Sequence, residues 1–568
     1  LANRTNTTLF DSKGRFPIET FNTRNQKTLQ NFEPIYGNVI NITGLDGLLT
    51  SYEYDSWGRL TKTNVPEGFS VSQSYGWDIN PTEGTIYFKL TTHPGKPDVK
   101  VWYDQLGRER KRQVEGHLNE WITSKTTYDA KGNIATTTAP YKASETVLTT
   151  TNQYDEFNRI TTSSNTLGST GVVYVYNTAG ELTTTTTAPD LNVSSKQADA
   201  AGKLLKATDN GGTLTYTYNS QGNLRQIANA TQTLVTNKYD DYGRQYELND
   251  ANAGITQYVY DAYGQLVTQI NPAGQTTSVI YDNLGRVEKS TKPEGITNTI
   301  YFPANSGAST NKIKTITGFA LDINEFTYDA FGRLKTEKTT IDGVAHEFIN
   351  TYNAHNLTFR SYPDLFGLYY NYDANGYLIE IKDQANSIKL FETVSMNGLG
   401  QYKSYKLGNT KTSTNTYYFG FPTNYSTTGI QNLSMAWNYA NGNLNSRTDV
   451  LKSKTENFAY DGLDRLTGSS GTGIATTSMV YGPNGNISQK SDAGTYDYHN
   501  AKFNAVDYIT GPLNIPNNLQ TITYTSYAQP NLILQGSDRV EYTYGADEQR
   551  IKAITKVSNT VTNTRYYF

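Results

Sequence analysis

Tyrosine, aspartate, glycine and arginine recur together in this chain at a fixed interval. Tyr239-Asp240-Asp241-Tyr242-Gly243-Arg244 is followed by Tyr260-Asp261-Ala262-Tyr263-Gly264-Gln265-Leu266, and then by Tyr281-Asp282-Asn283-Leu284-Gly285-Arg286. Successive Tyr-Asp pairs stand twenty-one residues apart, and Tyr218-Asn219 sits one interval earlier. A ladder of carboxylates could hold metal ions or sugars, and a ladder of guanidinium groups could hold anions. The same residues also have a mechanical use. Asp at the first place of a four-residue reversal accepts a hydrogen bond from backbone two residues on, and Gly at the fourth place tolerates the left-handed geometry that closes the turn. The pair comes just before Gly, which favours the turn. Arg is then expected to pair with a neighbouring Asp or stack on Tyr, and Gln265 and Asn133 replace it without breaking the pattern.

Other reactive residues form no constellation. His93, His117, His346, His355 and His499 are scattered without ligand spacing, so no metal site is expected. The chain has no cysteine, which excludes disulfides, thiolate metal sites and Cys nucleophiles. No nucleophile elbow or phosphate loop occurs, and Gly471-Thr472-Gly473 lacks the third glycine and the strand–turn–helix context. Trp57, Trp77, Trp102, Trp121 and Trp437 could stack on carbohydrate, although a wall of strands needs aromatics for itself. We assign no catalytic, cofactor or metal residue and expect no enzyme.

The elements that carry the phrase are strands. Ser278-Val279-Ile280-Tyr281 alternates in the strand manner, and after Gly the chain leaves as Arg-Leu or Arg-Val, so one copy is a β-hairpin. Asn271-Pro272-Ala273-Gly274 and Lys292-Pro293-Glu294-Gly295 read as the turns joining one copy to the next. The phrase runs from Phe10-Asp11 through Tyr54-Asp55, Tyr103-Asp104, Tyr128-Asp129 and Tyr154-Asp155, with Gly76-Trp77-Asp78 and His93-Pro94-Gly95 marking turns. Ala198 replaces Tyr before Asp199, and Thr183 to Thr187 reads as a strand. Tyr328-Asp329, Tyr352-Asn353, Tyr372-Asp373, Tyr439-Ala440, Tyr460-Asp461, Tyr481-Gly482 and Tyr544-Gly545 follow, with Glu548 in the glycine place of the last. Less regular stretches fall at about 301–323, 390–431 and 500–540.

Lys+Arg 49 against Asp+Glu 52 gives a net charge of −3, so nothing steers the chain to nucleic acid or an anionic membrane. Apolar content is 36%, low for a globular core, while Tyr (45) and Gly (47) are abundant. No apolar run is long enough to span a bilayer. No linker divides residues 1–568, and we expect one continuous domain. It begins at Leu1 without a leader and ends at Tyr566-Tyr567-Phe568 in strand-like sequence, as part of a longer protein would. On the order of 50 strands at ~4.8 Å spacing make a ribbon ~240 Å long. Because each strand twists on its neighbour, such a ribbon must curl, and the expected outcome is an all-β meander spiralled into a hollow wall, with the turns of one layer on those of the next.

The Tyr-Asp-x-x-Gly-Arg-Leu phrase, clearest at Tyr54 to Leu60, Tyr103 to Arg108, Tyr281 to Arg286 and Tyr328 to Leu334, resembles the RHS/YD-repeat family. That family includes B and C components of bacterial Tc toxins, polymorphic toxins and teneurins. The resemblance implies a β-sheet cocoon which, in bacterial members, encloses and shields a C-terminal toxin cargo until delivery. It also implies a secreted or cell-surface bacterial location and dealings with secretion or delivery machinery. Members with a self-cleaving core carry an Asp-Pro-x-Gly run; Asn271-Pro272-Ala273-Gly274 lacks that Asp, so no catalytic residue is carried over. The alternative is a surface adhesion or glycan-binding protein.

Overall fold

The computed structural model describes residues 5–79, 81, 83–385, 387–498, 502–511 and 520–568. Among them are 52 strands and two short 3-10 turns, His117–Asn119 and Gly307–Ser309. Each strand pairs antiparallel with the next, as Thr276–Tyr281 does with Val287–Lys292 and that strand with Gly295–Tyr301. Two breaks interrupt the order: Tyr141–Lys142 returns to Trp121–Tyr128 while Ile134–Thr138 pairs with Thr149–Tyr154, and Tyr508–Thr510 does not pair with Thr521–Tyr524. The meander forms a 47-stranded sheet, and the last strands, Thr521–Tyr524 to Thr560–Tyr566, form a sheet of five.

The phrase makes hairpins for the reason its residue types suggest. In Asp282–Gly285 the Gly285 N–H donates to the Asp282 carbonyl at 2.9 Å, while the Asp282 carboxylate accepts from the Leu284 N–H at 2.8 Å. The ladder register then shifts at Ile280/Tyr281, and the same irregularity recurs at Val259/Tyr260, Thr327/Tyr328 and Ala459/Tyr460. A bulge bends its strand and increases the local twist. Recurring at most phrase turns along the chain, it curls the strip.

That curl closes. Arg24 meets Asp282, Gly95 meets His355 and His117 meets Asp373, at separations of 258, 260 and 256 residues. Glu145–Gly398, Asn210–Gly462, Asn252–Asn504 and Asn271–Ser526 continue the series at 253, 252, 252 and 255. One circuit thus takes 23 or 24 strands. At ~4.8 Å per strand the circumference is ~115 Å and the radius ~18 Å, which leaves an inner radius of ~13 Å inside a wall about 10 Å thick. The chain makes two circuits and begins a third.

Few residues are fully buried, because the wall is one sheet thick. Alternate positions still differ: in Gly254–Tyr260, Ile255 and Val259 are exposed, whereas Thr256, Tyr258 and Tyr260 are half-buried. Tyrosines crowd one face, and exposed aliphatic side chains such as Val173, Val175, Ile280 and Val480 stand on the other.

Three details differ from the sequence reading. Gly76 and Trp77 lie inside the strand Ser70–Trp77, not in a turn, since the bare Gly76 backbone receives the Phe88 ring. Tyr439 is a turn residue: Trp437 takes the tyrosine place at the strand end, and its indole N–H donates to the Pro422 carbonyl at 2.6 Å. Between Leu390 and Gln431 the hairpins persist although the phrase fades, with Met396-Asn397 standing for Tyr-Asp and the Gly400 N–H closing on the Asn397 carbonyl.

Candidate functional site

The repeated side chains form a clamp that ties each hairpin to the next. Arg286 Nε and Nη2 donate to Asp282 Oδ2 at 2.8 and 2.6 Å. Its guanidinium lies 3.8 Å from the centre of the Tyr301 ring in the following hairpin, and the Tyr301 hydroxyl donates to the Val287 carbonyl at 2.9 Å. Arg59 covers Tyr75, Arg108 covers Tyr128, Arg244 covers Tyr260, Arg333 covers Tyr352 and Arg465 covers Tyr481 in the same way. Both expected partners of Arg, the Asp and the Tyr, are therefore used at once. Burial alone would raise the Asp282 carboxyl, but the Arg286 guanidinium and the N–H groups of Arg286 and Leu284 outweigh it and hold the group below the ordinary carboxylate range. Each of these carboxylates is engaged by its own turn N–H groups, and by the arginine where the copy carries one, as at Asp282 but not at Asp261.

A second arrangement is the seam between circuits. The phrase turns of a later circuit sit on the opposite edge of the earlier one: Asp282 Oδ2 also accepts from Arg24 at 3.1 Å, and the Asn375 amide donates to the Gly116 carbonyl at 3.1 Å. The Gly398 N–H donates to Glu145 Oε2 at 3.0 Å, and the Asn210 amide donates to the Gly462 carbonyl at 2.8 Å. The five-stranded sheet docks likewise. The Ser526 N–H and hydroxyl donate to Glu294 at 2.6 and 2.7 Å, Lys292 pairs with Glu548, and Asp322, 1% exposed, accepts from the Ala546 N–H at 3.2 Å.

The histidines gather more than their spacing suggests. His93 and His355 stack edge-on at 4.9 Å across the seam, both against Phe69, and His117 bonds Asp373 at 3.2 Å. His346 stacks on Phe568 at 4.1 Å, and His499 lies outside the described residues. Among the described residues no three or more His, Asp or Glu side chains are arranged to hold a metal.

The tryptophans do not assemble. Trp57 and Trp77 stand out at 78% and 75% exposure, Trp102 is buried under Lys100 and Lys111, and Trp121 and Trp437 belong to separate strands. Hollows instead occur where the phrase fades. One of about 220 Å3 lies at the seam between Pro140, Tyr141, Leu399 and Phe419. Another of about 490 Å3 is walled by Phe391, Tyr402, Tyr405 and Tyr425. Neither hollow nor seam is legible as residue spacing; the loss of Asp and Arg over 390–431 is the one sequence signal near them. No helix among the described residues is long and apolar enough to cross a membrane.

Comparison with known proteins agrees with this geometry. The RHS Repeat family matches residues 36–70, 199–234 and 260–297. The crystal structure of TcdB2-TccC3-TEV superposes with a TM-score of 0.83 at 13% identity, covering 99% of this chain and 39% of that one. TcdB2-TccC3-Cdc42 gives 0.82 at 13%, over 98% and 39%, and a mutant Photorhabdus luminescens Tc holotoxin pore gives 0.82 at 13%, over 97% and 38%. The chain thus spans about two fifths of the structures it resembles. No curated protein matches it in sequence.

Proposed function

This chain is an RHS-repeat protein with the all-β fold of the TcdB2-TccC3 structures, and from that premise we propose that it is the wall of a container for a polypeptide guest. The observation that carries the reading is the closure of the strip every 252 to 260 residues, which wraps a single-layer wall around a space. An inner radius of ~13 Å equals the ~13 Å radius of gyration of a compact 100-residue domain, whose outer surface lies further out, so two circuits would take a small or unfolded segment. Inward curvature crowds side chains on the concave face, and on that ground we place the tyrosine face inside.

On this reading the chain acts as one domain and as a scaffold, not a catalyst. Its guest is a toxin segment of the same longer protein, and it works outside a bacterial cell or at its surface after passing delivery machinery. Limited proteolysis of the full-length gene product tests the reading. A fragment that survives protease in the native state and is digested after denaturation is expected, and digestion of everything but the wall at one common rate would overturn it. Exposed Trp57 and Trp77 favour a second reading, an outward glycan-binding surface, which glycan-array binding lost in a Trp57→Ala, Trp77→Ala variant would support.

A further inference from the structure

Where the phrase keeps its arginine, the tyrosine ring of the next hairpin is covered. In seven hairpins an arginine stands over a ring of the following hairpin, at 3.8 Å for Arg286 on Tyr301 and up to 5.1 Å for Arg244 on Tyr260. The stretch from Leu390 to Gln431 departs from this. The Asp place holds Asn397 and the Arg place holds Gln401, whose amide is spent on the Gly420 carbonyl at 2.9 Å. Tyr417 nevertheless keeps the bond of a phrase tyrosine, donating to the Tyr402 carbonyl at 3.1 Å.

The uncovered rings converge. Phe391 lies 5.6 Å from Tyr402 and 5.7 Å from Tyr405, those two lie 6.1 Å apart, and Tyr425 meets Tyr417 edge-on at 6.4 Å. They bound the hollow of about 490 Å3, within the roughly 300–1,000 Å3 usual for small-ligand sites. Asn415 is the buried amide beside them, and no charged side chain lines the space. Among the described residues no Lys or Arg stands over any of these five rings.

We propose that this hollow receives the guanidinium of an arginine side chain carried by a polypeptide lying on the tyrosine face. The chain itself shows what a phrase tyrosine such as Tyr417 accepts, since in seven places the wall lays a guanidinium, held by the Asp of its own turn, on the tyrosine of the next hairpin. With no carboxylate in the lining, the weakly hydrated, planar guanidinium is favoured over a compact, strongly hydrated ammonium. Tyrosine hydroxyl oxygens supply acceptors for its N–H groups. The inference rests on the reading of a guest within the wall.

The test is an NMR titration of the intact chain labelled at tyrosine ring carbons. The probes are a capped pentapeptide with one central arginine, the same peptide with lysine or glycine there, choline and maltose. We expect the arginine peptide to shift a subset of tyrosine signals, the lysine peptide to bind at least severalfold more weakly, and the glycine peptide not to bind. Tyr405→Leu and Phe391→Leu each keep apolar bulk while removing a ring, and each should weaken the arginine peptide about tenfold at an unchanged melting temperature. Equal binding of the glycine peptide, unchanged affinity in both variants, or preference for choline or maltose would overturn the proposal. None of these results would alter protease protection of a guest, so the two readings fail separately.

Discussion

At the scale of residues, the wall is held by an Asp–Arg–Tyr clamp whose strength varies with exposure. Asp282 is buried and serves two arginines, Arg286 and Arg24, whereas Asp55 and Arg59 form the same pair in the open. Asp282→Ala leaves two guanidinium groups short of an acceptor and is expected to cost about 2 kcal/mol. Asp55→Ala should lower the melting temperature much less, because exposed pairs are screened by water. Thermal melts of the two variants check this. The carboxyls of Asp104, Asp282 and Asp329 are pushed up by burial but held below the ordinary range by their arginines and turn N–H groups. A depressed folded-state value means stability that is complete above the ordinary carboxylate pKa of about 3.9 and is lost as pH falls through the folded value. The melting temperature is therefore expected to fall steeply below about pH 4, and less so in the Asp282→Ala variant.

At the scale of elements, turns and seams place different demands on the same glycine. Gly264 turns at φ +80° with open space where a Cβ would go, so Gly264→Ala should cost only the left-handed penalty of about 1–2 kcal/mol. Gly376 turns at φ +79°, but its Cβ would lie 2.2 Å from the Gly95 carbonyl oxygen of the neighbouring circuit. Gly376→Ala must part the seam as well as strain the turn. It should raise hydrogen exchange at residues 93–97 and 116–120, a response that Gly264→Ala lacks. The seam of the five-stranded sheet carries the opposite pH response. Burial raises the Asp322 carboxyl, its Oδ1 is buried without a partner among the described residues, and Oδ2 accepts from Ala546. A raised folded-state value gives stability that is complete below the ordinary carboxylate pKa of about 3.9 and is lost as pH rises through the folded value. Asp322→Asn can still accept the Ala546 N–H, so it should melt above the parent at pH 8, and the difference should shrink as pH falls to the ordinary carboxylate value of about 3.9.

At the scale of the molecule, the count of strands per circuit sets which turns meet. Deleting residues 240–260 removes one whole repeat and keeps every local signal, yet it moves Asp282 one hairpin away from Arg24. Such a chain should retain its strand content by circular dichroism while losing more melting temperature than Asp282→Ala alone. If the deletion melts like the parent, the seam contributes little to stability.

What the sequence determined by itself is local. Hairpins, their turn type, the strand of Thr183 to Thr187 and the roles of Tyr, Asp, Gly and Arg were legible because each depends on residues within one repeat. Curling was legible as well, since twist must accumulate over many strands. The tertiary structure alone decided how far the strip travels before it closes, because that pitch sums small rotations from bulges over 23 or 24 strands. It alone brought His93 to His355 and Asp322 to Ala546, and it gathered Phe391, Tyr402, Tyr405 and Tyr425 around a hollow, where the phrase merely looked eroded. The physical reason is distance along the chain: a turn is fixed by neighbours a few residues away, but a partner some 250 residues away is fixed only by the geometry of everything between.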